Sequence, residues 1–184
     1  AVRRVVAPVA AVAEGRVHRH ARDVGVEARR TGASLLAGVV LGRDVERAAE
    51  AGFDYTCDLY HDDQPFPIRT KTGNLISVPY SVDLNDVIAW RKGDEIDAFS
   101  RQIRDYFDTL YEEGAEQGRV MCIALHPFWV GQPHRIRAVR GALEYILSHS
   151  GVWVASASEI VDWYNANHLP AVEAHLASRE ASNG

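Results

Sequence analysis

The sequence has few cysteines, one methionine, no long apolar run and no excess of positive charge. Each shortage excludes a class of protein. Two cysteines in 184 residues cannot make a disulfide scaffold, and the separation of Cys57 and Cys122 matches no metal-binding pair. Both lie in predicted strands and read as buried, reduced thiols. A formal net charge of −5 with a pI of about 5.9 leaves no global basic footprint for nucleic acid. No apolar run approaches the ~20 residues that span a bilayer, and no charged start followed by an apolar core marks a secretory signal. A soluble, cytoplasmic protein without a membrane partner is the expectation.

Metal-ligand spacing is missing too. Eight histidines include no His-x-x-x-His pair. His18 and His20 are two apart, share a face only on a strand, and have Arg19 between them. No metal-ligating set is therefore expected from this chain. Gly38 and Gly42 do not form Gly-x-Gly-x-x-Gly, so a phosphate cradle lacks its spacing.

What is present divides unevenly. Residues 1–52 contain no Phe, Trp, Tyr, Lys, Ile, Asn, Gln, Met or Cys; nine Arg against six acidic residues give them a balance of +3. The rest of the chain, at −8, is acidic and carries every aromatic residue. The lead reads either as one or two helices plus a strand, or as a segment foreign to the body that follows. Val5 to Val12 fits helix or strand, and Leu35 to Leu41 fits a buried strand. The expected divisions are an atypical lead over 1–43, a body over 44–168 and a polar tail over 169–184 that holds the exposed His175.

Within the body, Val45, Ala48, Ala49 and Ala51 line a short helix that Gly52 ends. Phe53 to Leu59 reads as a strand. Tyr60 to Thr72, acidic and punctuated by prolines, reads as a loop carrying Asp62 and Asp63, either a solvated pair or one that aims a carboxylate inward. Leu75 to Pro79 is a further strand, and Tyr80 to Trp90 a loop that brings Asp83, Asn85 and Asp86 together. Ile96, Phe99, Ile103, Phe107, Leu110 and Tyr111 fall at helical spacing, so the pattern predicts a helix over 94–113 ended by Gly114. Val152 to Ala155 is a last strand, and Ser156 or Ser158 can cap a helix through Tyr164. Strands alternating with helices predict an α/β domain with a parallel sheet.

One stretch organises the rest. Val120 to Leu125 is a nearly unbroken apolar run, as in a strand buried on both faces. It ends in His126, then Pro127, Gly131 and Pro133, which cannot continue a ladder. A helix follows from about Ile136 to Ser148. In α/β folds, strand–loop–helix junctions of this kind carry catalytic groups just beyond the strand's carboxyl end. A histidine there can exchange a proton near neutral pH; it can equally be a residue that simply caps a strand.

Leu125-His126-Pro127, Gly131-x-Pro133-x-Arg135, Ala142-Leu143-Glu144-Tyr145-Ile146, Gly151-Val152-Trp153-Val154 and Glu159-Ile160-x-Asp162-Trp163 resemble the C-terminal part of polysaccharide deacetylases with the NodB fold. The match is closer to their branch of allantoinases, cyclic-imide hydrolases and peptidoglycan-deacetylase-like proteins. Ala51-Gly52-Phe53-Asp54-Tyr55-x-Cys57-Asp58, Asp62-Asp63-Gln64-Pro65-Phe66-Pro67 and Val78-Pro79-Tyr80-Ser81-Val82-Asp83-Leu84-Asn85-Asp86 fit the same branch. The resemblance runs from about Asp44 to Tyr164.

It implies a partial (β/α) barrel, the C-terminal half of a NodB-type irregular barrel, and hydrolysis of non-peptide C–N bonds in a small amide or N-acetyl sugar. It carries the catalytic acid onto His126 and makes Asp62, Asp63, Tyr80, Asp86 and Trp129 candidates for binding or orienting a substrate. The complete family domain usually holds a divalent metal such as zinc through an aspartate and two histidines. This sequence lacks that motif, the paired aspartates of the first family motif and its Arg-x-Pro. The expectation is thus a chain that descends from an amide hydrolase but is incomplete and inactive alone. The alternative is a non-catalytic binding protein on the same fold, with an exposed sheet edge suited to a homodimer.

Overall fold

The computed structural model describes residues 5–6, 42–59 and 62–182. His18, His20 and the predicted strand at 35–41 lie outside them.

Of the lead, Val5–Val6 forms strand β1, and Gly42–Glu50 forms helix α1. Gly52, with φ at +75°, takes the left-handed conformation that turns the chain after the helix. Strand β2 (Tyr55–Thr56) then pairs in parallel with β4 (Gly73–Ser77), and β3 (Phe66–Thr70) pairs antiparallel with β4 over five residues. The segment at 60–72 is thus only partly the loop that its prolines suggest. The strand order β2-β4-β3 puts β3 at an edge, where Pro67 costs no ladder bond on its outer side. Thr70 Oγ1 donates to the Gly73 carbonyl at 2.7 Å across the tight turn.

Helix α2 (Asp86–Arg91) occupies part of the expected loop at 80–90. Asn85 caps it, its side-chain oxygen accepting from the Val87 and Ile88 N–H groups at 3.1 and 3.2 Å. Helix α3 (Ile96–Glu113) follows the predicted periodicity closely: Phe99, Ile103, Phe107 and Leu110 form its buried stripe. Strand β5 (Arg119–Val120), the short helix α4 (Pro127–Val130) and helix α5 (Ile136–Leu147) come next. Strand β6 (Val152–Trp153) leads to α6 (Ala157–Asn167), whose Ser156 and Glu159 make a reciprocal capping box. The polar tail is helical as α7 (Leu169–Ser182), with no buried side chain. Arg69–Glu180 at 2.9 Å and Asn74–Glu173 at 2.6 Å hold it against the β3–β4 hairpin.

A second sheet has the order β5-β1-β6, with β1 parallel to both neighbours. The run after β5 is buried on both faces, as its composition predicts. Met121 and Ile123 join the core against Phe99, Ile103, Phe107 and Ile146, whereas Val120 packs with Tyr55, Ile76, Val78 and Ile160. Regular pairing is shorter than expected: beyond Val120 the ladder resumes at Ala124, which bridges Asn85 in parallel. Ser100 Oγ donates to the Ala138 carbonyl at 2.8 Å, pinning α3 to α5. Cys57 and Cys122 are free thiols, and burial pushes them up to about 12 and about 11, which keeps them protonated and unreactive at neutral pH. No described helix is long and apolar enough to cross a membrane.

Phe107 is fully enclosed and meets the rings of Tyr111, Tyr145 and His149 at centroid distances of 5.4, 6.0 and 5.0 Å. Phe107→Ala is expected to cost about 3–5 kcal/mol through lost burial and the cavity left behind. Urea denaturation with an unchanged slope checks it; a loss below about 1 kcal/mol would contradict this packing.

Candidate active site

The bridge between Ala124 and Asn85 brings two residues together that stand 40 apart in the chain. The Ala124 N–H donates to the Leu84 carbonyl at 2.8 Å, and the Asp86 N–H donates to the Ala124 carbonyl at 3.1 Å. Two residues beyond Ala124 is His126, and the first residue of α2 is Asp86. The Asp86 side chain is completely buried. One carboxylate oxygen accepts from the His126 backbone N–H at 2.7 Å, and the other meets His126 Nδ1 at 2.6 Å. An ionised carboxylate only accepts hydrogen bonds, so Nδ1 carries the proton facing it. Nε2 has no hydrogen-bond partner among the described residues.

His126 itself caps α4 through its backbone: its carbonyl accepts from the Trp129 and Val130 N–H groups at 2.9 and 3.0 Å. Pro127 suits the first helical position, where its missing N–H costs nothing. The imidazole makes no cap bond and stays committed to Asp86. Its side chain is 14% exposed, enough for contact from outside the core.

The sequence places Asp86 among the substrate-binding residues. The structure encloses it and engages both of its oxygens with His126. Trp129, another of the candidates for binding or orienting a substrate, is buried with Val130 and Val139. The Arg135 guanidinium lies over its ring at 4.7 Å, and its indole N–H has no hydrogen-bond partner among the described residues.

Asp62, Asp63 and Tyr80 meet elsewhere. With Ser81, Val82, Asp83 and Tyr106 they line a hollow of about 220 Å³. His126 is not in this lining. The link between the two places is Tyr80, whose hydroxyl accepts from Asn85 Nδ2 at 3.1 Å, one residue before Asp86. Burial raises the Tyr80 phenol above its ordinary value. Asp63 is fixed at two atoms: its carbonyl accepts from the Val120 N–H at 2.8 Å, and its carboxylate from the Tyr106 hydroxyl at 2.8 Å. Burial, and then the Asp63 carboxylate, hold the Tyr106 phenol well above the usual range. Tyr106 escapes sequence reasoning because it sits on a helix whose aromatics read as core. Its hydroxyl, which needs a partner when covered, is the signal that was available.

Among the described residues no three His, Cys, Asp or Glu side chains converge as a metal site. With both Asp86 oxygens engaged by His126, the described residues do not fit a resident cation.

Asp86→Asn is expected to switch His126 to the tautomer protonated at Nε2, because an amide cannot accept from both N–H groups. Long-range 1H–15N correlation of the imidazole reads this directly, and an unchanged tautomer would rule out the assignment. Asp86→Ala should cost about 1–3 kcal/mol from the two donors left unpaired.

No family model matches the chain. It is 37% identical over 126 residues to a Schizosaccharomyces pombe protein described as a polysaccharide deacetylase, a match that takes in 62% of this chain and 39% of that protein. Among solved structures, the Puue allantoinase superposes with a TM-score of 0.64 at 34% identity, over 69% of this chain and 43% of the allantoinase. A Pseudomonas aeruginosa PAO1 protein described as a polysaccharide deacetylase gives 0.61 at 32% identity, over the same shares. A Mycobacterium smegmatis protein of the same description shares the fold, with a TM-score of 0.63 at 23% identity over 72% of this chain and 48% of that one. This chain spans about two fifths of the length of the curated relative and less than half of each solved structure. Over the matched part it is an α/β chain forming a partial NodB-type (β/α) barrel, related by sequence and fold to polysaccharide deacetylases and to an allantoinase.

Proposed function

We propose that this chain carries the proton-donating side of a hydrolase for non-peptide C–N bonds. The supporting observation is the buried Asp86 carboxylate gripping both the backbone N–H and Nδ1 of His126, with Nε2 left unpartnered among the described residues. A carboxylate in this position fixes the imidazole's orientation and holds the Nδ1 proton, so that a proton at Nε2 is the one delivered.

In amide hydrolysis the water oxygen bonds to the carbonyl carbon and the C–N bond breaks. His126, protonated at both ring nitrogens, gives its Nε2 proton to the departing nitrogen while the Nδ1 proton stays on Asp86's side, and an acid and an amine result. The hollow bearing Asp62, Asp63 and Tyr80 would accept polar groups of a small amide or N-acetyl sugar. The names of the relatives, deacetylase and allantoinase, favour this bond class. In this reading the described residues do not include the group that takes the water proton, and the isolated chain is expected to turn over nothing unless another segment completes the site.

The test is an assay of the isolated chain on N-acetylglucosamine oligomers and on allantoin, across a divalent-metal titration, with His126 ring signals followed by NMR. The expected outcome is no turnover together with ligand-dependent shifts of the His126 ring. Robust turnover overturns the incompleteness; a further loss of about 10²–10⁴-fold in His126→Ala would then keep the acid role. Ligand binding without any shift at His126 favours a non-catalytic binding protein.

A further inference from the structure

Each carbonyl from His126 to Trp129 has a donor, and two of the donors are side chains of the segment that follows. The His126 carbonyl accepts from Trp129 and Val130, and the Pro127 carbonyl from Gly131. Gln132 Nε2 donates to the Phe128 carbonyl at 3.1 Å, and an Arg135 guanidinium N–H to the Trp129 carbonyl at 3.3 Å. The segment that supplies these two is itself folded tightly, with the Arg135 backbone N–H on the Gln132 carbonyl at 2.9 Å. The last carbonyls of a helix carry its negative pole, so a guanidinium on α4 is well placed.

For its own helix the same arginine is badly placed. It precedes α5 at the positive end, and its side chain makes no cap bond there. It takes part in none of the ion pairs among the described residues. Its guanidinium lies instead over the Trp129 ring, 4.7 Å from the centroid. Trp129 connects the two halves of the dyad. It belongs to α4, which starts directly after His126, and its ring stands 6.4 Å from that of Trp90 on α2, which starts at Asp86. Helices α2 and α4 pack against each other.

We infer that Arg135 is a positioning residue for His126. By holding both the ring and the carbonyl of Trp129 it sets the spacing of α4 from α2. One Asp86 carboxylate can then meet the His126 backbone N–H at 2.7 Å and Nδ1 at 2.6 Å. Those two bonds need the backbone and the ring of one residue to face one carboxylate at once, a condition that a loosened turn does not keep. Arg135 touches no reacting atom in this account. A planar guanidinium stacks and donates together, which an ammonium does not do. The inference rests on the hydrolase reading above, in which His126 is the proton donor.

The full 15N-labelled chain, without ligand, is compared by NMR with Arg135→Ala, Arg135→Lys and Arg137→Ala, the last removing an exposed arginine of α5. Arg135→Ala is expected to speed exchange of the His126 backbone N–H about five- to tenfold and to mix the two tautomers of its ring. The buried Ile103 and Phe107 amides of α3 should exchange as before. Arg135→Lys should recover only part of the loss, and Arg137→Ala should change nothing. A His126 amide and tautomer unchanged in Arg135→Ala overturn the inference, as does an equal effect of Arg137→Ala. So does faster exchange at His126 and α3 alike with the tautomer intact, the mark of a merely structural arginine. Were Arg135→Ala to misfold, Arg135→Lys with His126 signals identical to wild type overturns it likewise. No ligand enters these measurements, so the hydrolase reading stands or falls separately, on the ligand-dependent shifts of the His126 ring.

Discussion

A carboxylate with no access to water must find hydrogen-bond donors inside the protein, and Asp86 finds two on one residue. Without them the buried charge would cost several kcal/mol. The surrounding structure is arranged so that this does not happen. Asn85 starts α2 and sets the direction of Asp86. The bridge from Asn85 to Ala124 fixes how far along the neighbouring strand Asp86 reaches. Pro127 and Gly131 fold the chain back directly after His126. Each of these is a short-range backbone feature; together they give an imidazole with one defined orientation.

That orientation is only as firm as the layer beneath it. Met121 and Ile123 are clamped by α3 and α5, while Val120 faces the second cluster under α6. A strand held from both sides has little freedom to slide, so the residue at its end inherits the rigidity of the core. A histidine on such a support is held in place by the core, as in α/β folds generally, where strand ends supply precision and loops supply variety.

Two unlike surfaces connect to the dyad. One is the hollow bearing three aspartates and two tyrosines, joined to it through the Tyr80–Asn85 hydrogen bond. The other is the aromatic edge of Phe128 against His126 itself. The first suits groups that donate hydrogen bonds, the second a C–H face.

The sequence by itself determined much of this protein. Helix α3 was legible because its apolar residues repeat with the helical period, and the strand after Arg119 because its run is apolar on both faces. His126 stood out because it closes such a run just before Pro127 and Gly131, although the pattern alone reads equally as a strand cap. The edge strand Phe66–Thr70 was not legible, since Pro65 and Pro67 signal a loop until the sheet shows which side needs no donor. Nor was the role of Asp86, which reads as one acidic loop residue among several, nor the burial of Trp129. Only the tertiary structure decided those, because pairing Asp86 with His126 depends on a backbone bridge between segments 40 residues apart, and no local pattern records which distant chain a side chain will meet.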